Sequence, residues 1–154
     1  MIEEKIERNK VLVIEDHAYS VYCYKQELGD RVDLPIKQNE GNYGCVNKEY
    51  SLENIQSYLK ETPYAVIFMD GQLKLELSRF SCDGEVLVDK IRKGEYGSLN
   101  QNVEIQNISS AFEIPGTRYD AKKMSLEWED WSKRLTASTC DRAIAYAKKK
   151  LGIE

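Results

Sequence analysis

Two short apolar runs, each ending in a carboxylate, limit what this chain can fold into. Tyr64-Ala65-Val66-Ile67-Phe68-Met69 runs into Asp70-Gly71, and Lys10-Val11-Leu12-Val13-Ile14 runs into the adjacent acids Glu15-Asp16. Continuous apolar runs of this length, rich in β-branched and aromatic residues and preceded in one case by Pro63, read as strands buried on both faces. Such strands belong to parallel sheets sandwiched between helices, where ligand sites gather outside the carboxyl ends of the strands. One acid after one strand is ordinarily the start of a loop. Two such strands side by side would instead place three acids in one crevice. Crowded carboxylates repel one another, so the cluster suits a cation, and an all-oxygen donor set favours magnesium, calcium or manganese.

Composition narrows the classes available to that crevice. The chain has 154 residues, enough for one ordinary domain and few for two. A net charge of −4 argues against non-specific binding to nucleic acid or to an anionic membrane. No apolar run reaches the length of a membrane span, and Met1-Ile2-Glu3-Glu4-Lys5 lacks the character of a signal peptide. Cys23, Cys45, Cys82 and Cys140 form no C-x-x-C pair, which favours reduced thiols over zinc ligation or disulfides. The single histidine, His17, excludes multi-histidine metal sites and reads as a helix-start residue. A soluble cytoplasmic domain is the expectation.

In chain order, residues 1–9 form a charged lead-in, with a short helix as one possibility, and 10–152 form the domain. Ala18, Val21, Tyr22, Tyr24 and Leu28 recur at helical spacing before Gly29, a C-cap. Residues 32–36 are a candidate second strand that Pro35 confines to an edge or a bulge. Residues 37–50 read as a polar loop, and Ser51 opens a helix whose apolar face is Ile55, Tyr58 and Leu59. Residues 72–82 carry no firm assignment. Asp83-Gly84 precedes a helix with Val86, Leu87, Val88 and Ile91, ending near Gly94 or Gly97, and residues 103–108 form a strand unusually polar for a central position. Pro115-Gly116 marks a turn, and Ala143, Ile144, Ala147 and Leu151 stripe a closing helix whose terminal lysines 148–150 suit its dipole. Tyr22, Tyr24, Trp128 and Trp131 read as packing or surface residues. The alternation makes an α/β chain with a parallel sheet.

This order, with Glu15-Asp16 after the first strand, Asp70 after the third and Asp83-Gly84 opening the next helix, resembles the receiver domain of two-component response regulators over nearly the whole chain. The resemblance implies a flavodoxin-like three-layer sandwich with a five-stranded parallel sheet in the order 2-1-3-4-5. It implies Asp70 as the phosphoacceptor, and magnesium held by Glu15, Asp16, Asp70 and a backbone carbonyl near Gln72. A hydroxyl ending the fourth strand falls on Ser109 or Ser110. A lysine ending the fifth strand falls on Lys133 within Trp131-Ser132-Lys133-Arg134-Leu135, although an amphipathic helix over 126–135 is a rival reading of that stretch. Arg134 stands where the family has proline, Trp131 is one place nearer the lysine than the family's aromatic, and Asp70 follows Asp16 by 54 residues, longer than the family's usual spacing.

The chemistry asks for these residue types. A phosphoryl group and a carboxylate nucleophile are both anionic, and a divalent cation, a lysine ammonium and a hydroxyl donor offset that repulsion. The implied partners are a histidine kinase or phosphotransfer protein and a downstream protein target, with no direct contact to nucleic acid or membrane. With the chain ending at Glu154, output by association with a partner or by phosphate relay is expected. Two other classes remain open. One is a degenerate receiver acting as an interaction module without phosphotransfer. The other is a haloacid-dehalogenase-like phosphatase, which wants an acid where this chain has Gln72.

Overall fold

The computed structural model describes residues 5–36, 48–70, 73, 83–108 and 139–153. The two acid-terminated runs form its central strands, β1 (Lys10–Ile14) and β3 (Tyr64–Met69). They are flanked by β2 (Val32–Asp33) and β4 (Ile105–Asn107) in a parallel sheet of order β2-β1-β3-β4. This is the expected order as far as the described strands run; the expected fifth strand falls in 109–138, outside the described residues. Among the described residues, four α-helices accompany the sheet: α1 (Ala18–Leu28), α2 (Lys48–Glu61), α3 (Asp83–Arg92) and α4 (Thr139–Leu151).

Strand alternation sorts the core into two layers. Leu12 and Ile14 of β1, with Ile67 and Met69 of β3, pack against Ile55 and Leu59 of α2 and Leu87, Val88 and Ile91 of α3. Val11, Val13, Val66 and Phe68 point the other way, onto Tyr24 and Leu28 of α1 and Ala143, Ile144 and Ala147 of α4. Phe68 anchors that second layer, stacked on Tyr24 at 6.5 Å between ring centroids and met edge-on by Tyr146 at 6.2 Å. The parity changes once. Lys10 pairs with Tyr64 but Val11 pairs with Val66, so Ala65 is an extra residue in β3, and Tyr64 joins the α2 layer.

Several expectations shift at element ends. The second strand stops at Asp33, before Pro35, which cannot donate to a ladder and restricts the residue before it; the strand lies at the sheet edge, as the proline requires. α2 begins at Lys48, so 48–50 are helix and not loop, and Ser51 is buried inside the helix and does not cap it. α3 includes Asp83-Gly84, and β4 is the shorter Ile105–Asn107. Residues 5–9 are not helical. Gly29 caps α1 at φ 54°, its N–H donating to the Lys25 carbonyl. At the end of α3, Gly94 at φ 78° lets its own N–H reach the Ile91 carbonyl and that of Glu95 reach Lys90, a Schellman closure.

The polarity of β4 has a local cause. Glu104 accepts a hydrogen bond from the Tyr146 hydroxyl and pairs with Lys150 Nζ at 3.1 Å, so α4 uses it as a docking point. Gln106 is fully buried and donates to Glu104 at 3.4 Å.

A polar plug closes the amino end of the sheet. Asn100 is 2 % exposed. Its Oδ1 accepts from the Tyr64 backbone N–H at 3.0 Å and from Arg8 at 3.2 Å. Its Nδ2 donates to the Leu59 and Thr62 carbonyls, both at 2.8 Å. Every hydrogen-bonding position of the amide is used. Arg8 also reaches the Tyr64 and Leu99 carbonyls. Replacing Asn100 with Leu strands a buried N–H and two carbonyls at once, and Asn100→Leu should cost about 2–4 kcal/mol. Urea unfolding checks this: the midpoint should fall with little change in slope.

Candidate functional site

The carboxyl ends of β1 and β3 are locked level with each other. Ile14 pairs with Met69, and the Asp70 N–H donates to the Ile14 carbonyl at 2.9 Å. The two central strands therefore release their acids at one height, β1 leading on into α1. The Ile108 N–H in turn donates to the Met69 carbonyl at 3.0 Å, bringing the end of β4 to the same level.

Glu15, Asp16 and Asp70 each offer a carboxylate oxygen, and these oxygens lie within 4.8 Å of one another. Glu15 and Asp70 are each 8 % exposed. The Glu15 carboxylate accepts the His17 N–H at 3.0 Å, which ties it to the first turn of α1. His17 itself caps that helix, its Nδ1 accepting from the Ser20 N–H, which matches its reading as a helix-start residue. Tyr24 of α1 is 1 % exposed in the core layer of Phe68, and its hydroxyl is pushed up by burial first and then by neighbouring charge, that of Glu15 foremost.

Glu15 shows the consequence. Burial, and next the nearby Asp70 charge, push its carboxyl from the ordinary 4.5 up to about 9, the His17 N–H opposing them only in part. At neutral pH and without a cation, Glu15 keeps a proton and shares a hydrogen bond with Asp70. A proton does there what a metal could do better. The donor set is wholly oxygen, converging and more anionic than its surroundings tolerate, and so it fits a hard divalent cation such as magnesium.

Of the residues expected at the site, Glu15, Asp16 and Asp70 are gathered as the sequence reading required. Gln72, Ser109, Ser110 and Lys133 lie outside the described residues, as do Trp128, Trp131 and the Pro115-Gly116 turn. Tyr22 is exposed and Tyr24 buried in the core, in keeping with their reading as surface and packing residues. The part that sequence reasoning missed is the depth of Tyr24, which stands four residues before Leu28 and shares its buried face of α1. Among the described residues no helix is long and apolar enough to cross a membrane.

No family model and no curated protein matches the chain. One solved structure does, a crystal structure of a response regulator receiver domain protein (CheY-like) from Methanospirillum hungatei JF-1. It aligns over 95% of each chain at 15% identity and a TM-score of 0.49. A likeness at that level says nothing of residue roles.

The raised Glu15 carboxyl makes stability depend on pH. The folded chain holds a proton that the unfolded chain releases above pH 4.5, so the metal-free fold is favoured at low pH and loses stability as pH rises from about 4.5 toward about 9. Glu15→Gln removes that loss while keeping an acceptor for the His17 N–H. In EDTA at pH 8 the variant should be more stable than the parent by on the order of 1–3 kcal/mol, and equal to it near pH 4.5. Thermal melts across the pH range measure both.

Proposed function

We propose that this chain is a phosphoacceptor receiver domain of a two-component or phosphorelay system. Residues 10–152 would form the domain, and Asp70 would accept a phosphoryl group from a phosphohistidine on a kinase or phosphotransfer protein. The observation that supports this most directly is the convergence of Glu15, Asp16 and Asp70 within 4.8 Å at the ends of two in-register strands. Glu15, Asp16 and Asp70, with a carbonyl near Gln72, would hold magnesium. When bound, magnesium supplies charge neutralisation between the phosphoryl oxygens and the carboxylate nucleophile.

The chain's own residues then have separable tasks. An Asp70 carboxylate oxygen forms the new bond to phosphorus as the phosphorus–nitrogen bond of the phosphohistidine breaks, and the imidazole leaves with the electron pair. The backbone bond from Asp70 to Ile14 fixes the main chain from which that carboxylate projects. The His17 N–H keeps the Glu15 carboxylate turned into the crevice. Lys133 would pair with a phosphoryl oxygen, and Ser109 or Ser110 would donate to another and report the presence of phosphate. Positioning and electrostatics carry most of such a transfer, so the chain is a signalling domain that assists its own phosphorylation and does not turn over a separate substrate. Output passes to a protein target, and a cytoplasmic setting belongs with this reading.

Incubation with a small phosphodonor and magnesium should give a hydroxylamine-sensitive label that Asp70→Asn abolishes. Magnesium titration followed by NMR should show Asp16→Asn binding at least about tenfold more weakly, one attracting charge having gone. Magnesium binding without label in the parent chain would leave the degenerate interaction module. Free phosphate released over many turnovers would favour the phosphatase. Label surviving in Asp70→Asn would overturn the assignment of the phosphoacceptor.

A further inference from the structure

His17 is tied into the start of α1 through its main chain and again through its ring. Its backbone N–H donates to Glu15 Oε1 at 3.0 Å. Its carbonyl accepts the Val21 N–H at 3.0 Å, the first α-helical bond. The ring Nδ1 accepts from the Ser20 N–H at 3.4 Å and lies 3.2 Å from Ser20 Oγ. The backbone at His17 is extended, at φ −80° and ψ 114°, as an N-cap requires. A backbone N–H can only donate, so Nδ1 is the acceptor and the proton of the neutral ring sits on Nε2. Histidine is an unusual choice here, where serine, threonine, aspartate and asparagine are the favoured caps.

We propose that the His17 ring is a positioning group for the divalent cation: by capping α1 it steadies the backbone N–H that aims the Glu15 carboxylate. The inference rests on the reading of the crevice as a cation site. The converging carboxylates are those of Glu15, Asp16 and Asp70, without His17, so the imidazole acts through Glu15 and not as a ligand. A glutamate side chain has several rotatable bonds, and ordering it when the ion arrives costs affinity. A hydrogen bond to its carboxylate orders it beforehand, as outer partners of metal ligands commonly do.

The donor of that bond belongs to the cap residue, so its direction depends on the backbone angles that the cap maintains. Losing the ring bond leaves the first-turn N–H groups short of a partner and lets the turn fray, and the N–H that holds Glu15 moves with it. Capping and cation binding are therefore coupled, and the coupling is reciprocal: what steadies the cap strengthens binding, and a bound cation steadies the cap.

The test is a magnesium chloride titration of the whole chain at pH 8, followed by NMR. His17→Ala leaves all three acids and the backbone N–H in place, yet should bind about three- to tenfold more weakly. His17→Asn restores a favoured cap and should recover the parent affinity. Gln26→Gly, exposed and late in α1, should lower the unfolding midpoint and leave magnesium affinity unchanged. His17 is the single histidine, so its ring is read directly. A long-range proton–nitrogen correlation should show the Nε2–H tautomer, and magnesium should slow exchange of the Ser20 amide. Parent affinity in His17→Ala, an equal loss in Gln26→Gly, or the Nδ1–H tautomer would overturn the proposal and leave the crevice a cation site. No response to magnesium in the parent chain would overturn the cation site itself, and the proposal with it.

Discussion

The pairing of β1 with β3 is the constraint on which everything at the carboxyl end depends. Ile14 lies opposite Met69, and one further backbone bond, from Asp70 to Ile14, carries the register past the strands and into the acids. A slip of one residue would turn Asp70 to the opposite face and scatter the cluster. The carboxylates oppose the closeness that this register imposes: burial and then the Asp70 charge push the Glu15 carboxyl upward. What outweighs them is burial: Val11, Leu12, Val13 and Ile14 on one strand and Val66, Ile67, Phe68 and Met69 on the other are at most 1 % exposed. Full burial of side chains of this size is worth about 1.5–3 kcal/mol each, more than the repulsion of one acid pair in a partly solvated crevice.

The two ends of the sheet solve opposite problems. At the amino end buried polar groups find close partners. Asn100 fills its four positions, and Asp33 accepts both the Tyr64 hydroxyl at 2.7 Å and Lys10 Nζ at 3.2 Å. At the carboxyl end three acids are brought together instead. The matched end contributes stability that the crowded carboxylates at the other end draw down.

Much of this was legible because the decisive signals are local. The strands at 10–14 and 64–69 announce themselves as unbroken apolar runs, and the acids that end them need only a parallel register to meet. The stripe Ala143, Ile144, Ala147 marks α4, and the αL glycine after Lys93 marks the end of α3. What escaped depends on distant partners. Asn100 looks like any loop asparagine in a polar stretch, because the four groups it satisfies lie at Arg8, Leu59, Thr62 and Tyr64. The polarity of Glu104 looked out of place for a central strand until Tyr146 and Lys150 supplied its partners. Ser51 suggested a helix start by residue type, but Lys48–Tyr50 extend the helix backward and carry the serine inside.

The extra residue in β3 gives that strand slack at one end only. Ala65 stands between two correct pairings, Lys10 with Tyr64 and Val11 with Val66. Removing it would close the bulge and leave both pairings, and every side chain's face, as they were. Removing any one of Val66 to Met69 would instead drag Asp70 back one pleat and out of the crevice. Over the history of such a chain, single-codon gains and losses can therefore be absorbed at the start of the strand and not at its end, so length variation among descendants should collect beside Pro63, on the side away from the acids.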